Sequence, residues 1–212
     1  MKTKAPKPKL RGYLHQEAAF FAAGACALLI AKASSEKAIL AAILYSLSLI
    51  TLFSVSAIYH RPHWDTKRRA LLKRLDHSSI FFLIAGTATP LALLALPAVE
   101  GHQLMWAIWI GAGVGVAQSI FFPQAPKWVS ALLAVGVGWL CLPFFGALVA
   151  VLTHAQLVLL ILGGVTYTVG AAVYAMKKPN FSPSIFGYHE LFHLLTILAA
   201  AMHFLIIYPL VA

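Results

Sequence analysis

Five residues set the chemistry this chain could perform: Ser56 and His60, Asp76, and His189 and His193, each at the edge of a long apolar stretch. An unpaired charge or imidazole at membrane depth is costly, so such residues persist there mainly when something binds them. Three histidines with a carboxylate close by are the donor set of a zinc ion that activates water. His189 and His193 stand four positions apart, as do Ser56 and His60, so each pair projects from one helix face. Two such faces and a capping carboxylate could enclose one ion. Each residue also has an ordinary role open to it. Asp76 suits the N-cap of a helix that starts beside it, and His60 and His189 suit wet interfacial positions at helix ends.

The elements that must bring these residues together follow from composition. Of the 212 residues, 61% are hydrophobic and only 10% charged, with a mean hydropathy of +0.84, which places the chain among integral membrane proteins. Apolar runs fall near 14–34, 38–60, 77–97, 102–122, 128–150, 154–176 and 186–210. Each is long enough to cross a bilayer, and lipid requires each to be a helix, because nothing there pairs an open backbone. The expected architecture is all-α: a basic tail over 1–13 and a single seven-helix transmembrane bundle over 14–212. The breaks include a basic stretch from Arg61 to Arg74, and the boundary at Thr153 is marked only by Thr153, His154 and Gln156. No cleavable signal peptide is expected, since the first apolar run leads into further spans.

Basic residues orient the bundle. Lys2, Lys4, Lys7, Lys9 and Arg11 precede the first run, Arg61, Lys67, Arg68, Arg69, Lys73 and Arg74 follow the second, and Lys127, Lys177 and Lys178 fall in later loops on the same side. The positive-inside rule places the N-terminus in the cytoplasm and the C-terminus outside. The formal charge of +10 is then topological. Its expected partners are anionic lipid headgroups and not nucleic acid, because the basic residues flank spans instead of forming one patch. This orientation brings His60, Asp76, His189 and His193 to one depth near the cytoplasmic face.

The segments Ser56-Ala-Ile-Tyr-His60, Leu75-Asp76-His77-Ser78-Ser79-Ile80 and Ile84-Ala85-Gly86-Thr87-Ala88-Thr89-Pro90 resemble the signature of the haemolysin III proteins, the bacterial branch of the progestin and adipoQ receptor superfamily. His189-Glu190-Leu191-Phe192-His193 and Met202-His203-Phe204 follow the same pattern, and Arg11-Gly12-Tyr13-Leu14-His15 is compatible with it. The resemblance implies a seven-helix bundle holding zinc near the cytoplasmic face. It maps the ligands onto His60, His189 and His193, with Asp76 near a zinc-bound water and Ser56 beside it. The short tail here does not match the longer cytoplasmic region of the eukaryotic receptors.

Three neutral imidazoles leave zinc an open fourth position, the catalytic arrangement, and a bound water could then ionise near pH ~7. Asp76 is the expected general base, and Ser56 the expected hydrogen-bond partner of the water or a developing oxyanion. The expected activity is hydrolysis of a lipid amide or ester, ceramidase-like within the wider superfamily. The alternatives are a regulator or sensor of membrane lipid composition with a structural zinc, to which Asp76 could be the fourth ligand, or a pore, for which the interior carries little polar lining.

Other residues carry lesser expectations. His203 lies 14 positions beyond His189, about 21 Å along a helix, too far to share the ion. It is expected to bond another helix or to line a cavity. His77 suits packing or an indirect contact with the ion's ligands, Glu190 a contact that orients a ligand or water, His63 solvent, and His15, His102 and His154 the interface. Cys26 and Cys141 suit apolar free thiols. Gly111-x-x-x-Gly115 suits close helix packing and could mediate a homo-oligomer. Gly86 and Pro90 would permit a bend that widens the bundle for an acyl chain, with Thr87 and Thr89 satisfying freed backbone. Trp64, Trp106, Trp109 and Trp128 read as interfacial anchors.

Overall fold

Helices begin where the sequence supplies a cap and end where the polar breaks interrupt the apolar pattern. In the computed structural model, which describes residues 7–212, Ser35 accepts from the Ala38 amide at 3.2 Å and Asp65 from the Arg68 amide at 3.0 Å. Thr153 and Gln156 form a reciprocal capping box. These caps start α2 (Glu36–His60), α3 (Thr66–Pro90) and α7 (His154–Met176), so the weakly marked break at Thr153 is a true helix start. The remaining helices are α1 (Tyr13–Lys32), α4 (Ala98–Phe121), α5 (Lys127–Gly138), α6 (Phe145–Val151) and α8 (Tyr188–Leu210). α5 and α6 form one span through a 3-10 segment, Trp139–Phe144, where Pro143 withholds an amide. Among the described residues seven helical segments are long and apolar enough to cross a membrane, and the protein is a multi-pass seven-helix bundle.

One boundary differs from the sequence expectation. α3 starts at Thr66, so the basic residues Lys67 to Arg74 are helical and Asp76 is no N-cap; Asp65 holds that place. Hydropathy marks where lipid begins, whereas Lys, Arg and Leu sustain a helix well outside it. Asp76 is thus raised more than two turns above the start of α3, to the level where α2 ends.

α3 does not stop at Pro90 but passes into a π-helical turn, Leu91–Ala95, which the Leu96 amide closes onto the Leu91 carbonyl at 3.0 Å. Thr89 donates to the Ala85 carbonyl at 2.8 Å and accepts from Trp109 Nε1 at 3.2 Å, so Trp109 is an interhelical tie and not an interfacial anchor. Gly86 serves close approach, since a Cβ there would collide with Ser48 on α2. The same holds for Gly115, where a Cβ would enter the ring of Phe81, and a Cβ on Gly111 would press on Val137 and Leu140 at 3.2 Å. The expected dimerisation motif is therefore spent within the chain. Two apolar cores result, one around Tyr45 and Leu49 between α1, α2 and α8, the other around Phe81 and Ile108 between α3, α4 and the fifth span.

Residues 7–12 lie across one end of the bundle. The Lys9 and Leu10 amides donate to the Ser184 and Ile185 carbonyls at 3.0 and 3.2 Å, and Arg11 pairs with Glu190. Gly12, at φ +83°, passes against His60 and Arg61, where a Cβ would fall 2.9 Å from each side chain. The expected tail is thus partly a cover. Lys2 and Lys4 lie outside the described residues.

Candidate metal centre

α2 delivers His60 from its last residue, and α8 delivers His189 and His193 from its first two turns. The end of one helix and the start of the other meet, and His189 and His193 share a face as their spacing requires. The Nε2 atoms of His60 and His189 are 3.1 Å apart. One ligand atom from each of His60, His189 and His193 falls within 4.8 Å of the others. At this spacing the three imidazoles could hold one metal ion between them. All three are buried, and three neutral imidazoles converging from two helices are a donor set that a single cation can engage.

Asp76 and Ser56 close the site from α3 and α2. Asp76 Oδ2 lies 3.6 Å from His60 Nε2, and Ser56 lines the same end of the cavity as Asp76. Asp76 is 8% exposed and Ser56 2%, so both act away from bulk water. All five residues named from the sequence therefore meet in space. His77 donates to or accepts from Tyr174 Oη at 3.1 Å, a packing contact between α3 and α7.

His15 joins the cluster although sequence reasoning assigned it to the interface. It is not interfacial: it is 2% exposed and its ring lies flat on His193, centroids 3.8 Å apart and planes 3° from parallel. A single histidine ahead of the least distinctive apolar run gave little signal, although it ends the Arg11-Gly12-Tyr13-Leu14-His15 motif. Glu190 is also engaged, 1% exposed, paired with Arg11 and accepting from the Gly187 amide at 2.9 Å. His63, His102 and His154 are exposed, as expected.

His189 and His193, with His15, Ser56 and Asp76, line one end of a cavity of about 390 Å³. Its walls run from Ser56, Asp76 and His193 past Phe81, Leu91 and Ile108, so the polar end opens onto an apolar body. The π-helical turn of α3 borders it at Leu91, next to Thr87 and Ala88.

A model of the haemolysin-III-related family matches residues 3–204. The chain is 34% identical over 173 residues to "Hemolysin-3" of Bacillus cereus, covering 82% of this chain and 76% of that protein. Against the "Hemolysin-3 homolog" of Bacillus subtilis it is 35% identical over 143 residues, 67% of this chain and 66% of the other. Similarity extends to the human "Monocyte to macrophage differentiation factor", 27% identical over 168 residues, 76% of this chain and 66% of the human protein.

Proposed function

The chain belongs to the haemolysin-III-related family, and from that premise we propose that it is a zinc-dependent hydrolase of a lipid amide or ester, acting near the cytoplasmic face of a bacterial inner membrane. One observation carries the reading: His189 and His193 are not enclosed between tightly packed helices but line, with Asp76 and Ser56, the polar end of an apolar cavity. A zinc that only clamped α2 to α8 would have no use for that cavity, and an aqueous pore would line it with polar groups. The basic residues flanking the spans support the orientation.

His60, His189 and His193 would hold the ion, which would supply Lewis acidity and lower the pKa of a bound water toward neutrality. Asp76 takes the proton of the attacking water as it adds to the carbonyl carbon, and returns it to the departing amine or alcohol as the C–N or C–O bond breaks. Ser56 donates to the carbonyl oxygen as charge gathers there. The apolar walls hold the acyl chain in line and keep bulk water out.

The test uses the full chain in lipid nanodiscs, with metal content and fatty-acid release from ceramide and ester lipids measured together. His193→Ala is expected to lose both metal and product. Asp76→Asn is expected to keep the metal and lose product by about 100-fold or more. Metal-loaded native protein that cleaves neither lipid class overturns the reading.

A further inference from the structure

Two polar side chains deeper in the same cavity take no part in that chemistry. Tyr167 on α7 and His203 on α8 both line it, with ring centroids 5.6 Å apart. The Tyr167 hydroxyl and both nitrogens of His203 are buried and make no hydrogen bond of normal geometry among the described residues, the Leu160 backbone being the nearest polar neighbour of the His203 ring. His203 lies ten positions beyond His193 on α8, about 15 Å further along the axis. Leaving a phenol and an imidazole unpaired in apolar surroundings costs about 1–3 kcal/mol for each group. The fold also makes room for this arrangement. A Cβ at Gly163 would fall 2.5 Å from His203 Nε2, so only glycine lets α7 come this close to the ring.

We propose that Tyr167 and His203 form a second subsite that hydrogen-bonds a hydroxyl group carried in the middle of a long acyl chain whose head lies at the histidine cluster. A phenol and a neutral imidazole together offer donors and acceptors, the complement of a hydroxyl, which is itself both. An anion does not suit the place, since no lysine or arginine lines the cavity. The unpaired groups also discriminate. A chain without the hydroxyl leaves both of them buried and unsatisfied, a stronger basis for selection than an added methylene. The proposal rests on the reading of the cavity as an acyl site, but not on turnover.

The test is binding of stearate and of mid-chain hydroxystearate to the full protein in detergent, by equilibrium dialysis, with and without zinc. Native protein is expected to bind hydroxystearate about tenfold tighter, the effect of satisfying one buried group. Tyr167→Phe is expected to bind both acids alike, with stearate affinity unchanged, and to melt higher than native protein when free of ligand. His203→Leu should lose the preference in the same way. Equal affinities in native protein, no binding of either acid, or a preference kept by Tyr167→Phe overturns the proposal. So does a Tyr167→Phe protein that melts lower while native protein shows no preference, the result expected of a purely structural pair. A protein that cleaves no lipid yet prefers hydroxystearate would sink the hydrolase and leave this subsite standing.

Discussion

The imidazole of His15 lies face to face with that of His193, 3.8 Å between centroids. α1 thereby fixes the plane of a ring that α8 supplies to the metal cluster. Groups that orient ligands contribute about 10–100-fold to metal affinity, so His15→Leu is expected to weaken zinc retention by that factor with the helical content unchanged. Competition with a chelator of known affinity reads this directly. Zinc held as tightly as in native protein would show that the stack is mere packing.

Arg11 and Glu190 join the N-terminal segment to the start of α8, with Glu190 only 1% exposed. Removing the arginine leaves a buried carboxylate unpaired, at a cost of about 3 kcal/mol. Arg11→Ala should therefore melt at a lower temperature, and adding Glu190→Gln should recover part of the loss because the amide carries no charge. Melting curves in detergent decide the matter, and an Arg11→Ala curve that overlays the native one contradicts it.

Gly115 faces the ring of Phe81, itself 1% exposed. Overpacking of this kind costs about 1–3 kcal/mol, so Gly115→Leu should lower stability while the mass of the detergent-solubilised particle stays the same. A change of oligomeric state without a change in stability would return Gly111-x-x-x-Gly115 to the role its spacing first suggests.

Thr153 and Gln156 hold the first turn of α7. Thr153→Ala is expected to cost about 1 kcal/mol and to speed amide exchange near residues 154–157 more than elsewhere. Uniform acceleration across the bundle would mean that the cap supports more than its own turn.

A ligand that binds only the folded state stabilises it by mass action, about 2.7 kcal/mol at a hundredfold excess over its dissociation constant. Excess zinc should raise the melting temperature of native protein and of His203→Leu, but not of His193→Ala. A rise of equal size in all three would place the ion elsewhere.

The seven spans were legible because bilayer thickness imposes a length on apolar runs that no soluble fold imposes, and the faint break at Thr153 fell where a helix starts. His60, Asp76, His189 and His193 were legible because topology alone sends their helix ends to one level. The start of α3 was misread, since hydropathy is silent on a helix that continues into water as Lys67 to Arg74 do. His15 was missed because its importance lies wholly in which ring it touches, 178 positions away. Tyr167 and His203 likewise acquire meaning only when α7 and α8 are laid together and Gly163 is seen to leave space for an imidazole.

His60 and His189 are separated by 129 positions of chain. While the protein is being made, the second span is therefore threaded into the bilayer long before the last one leaves the ribosome. Until that final segment arrives, His60 and Asp76 have no imidazole partners from α8, and a polar pair waits at the lipid boundary. A chain halted ahead of the last span holds only one of the three imidazoles, so any ion that all three bind must wait for the last span.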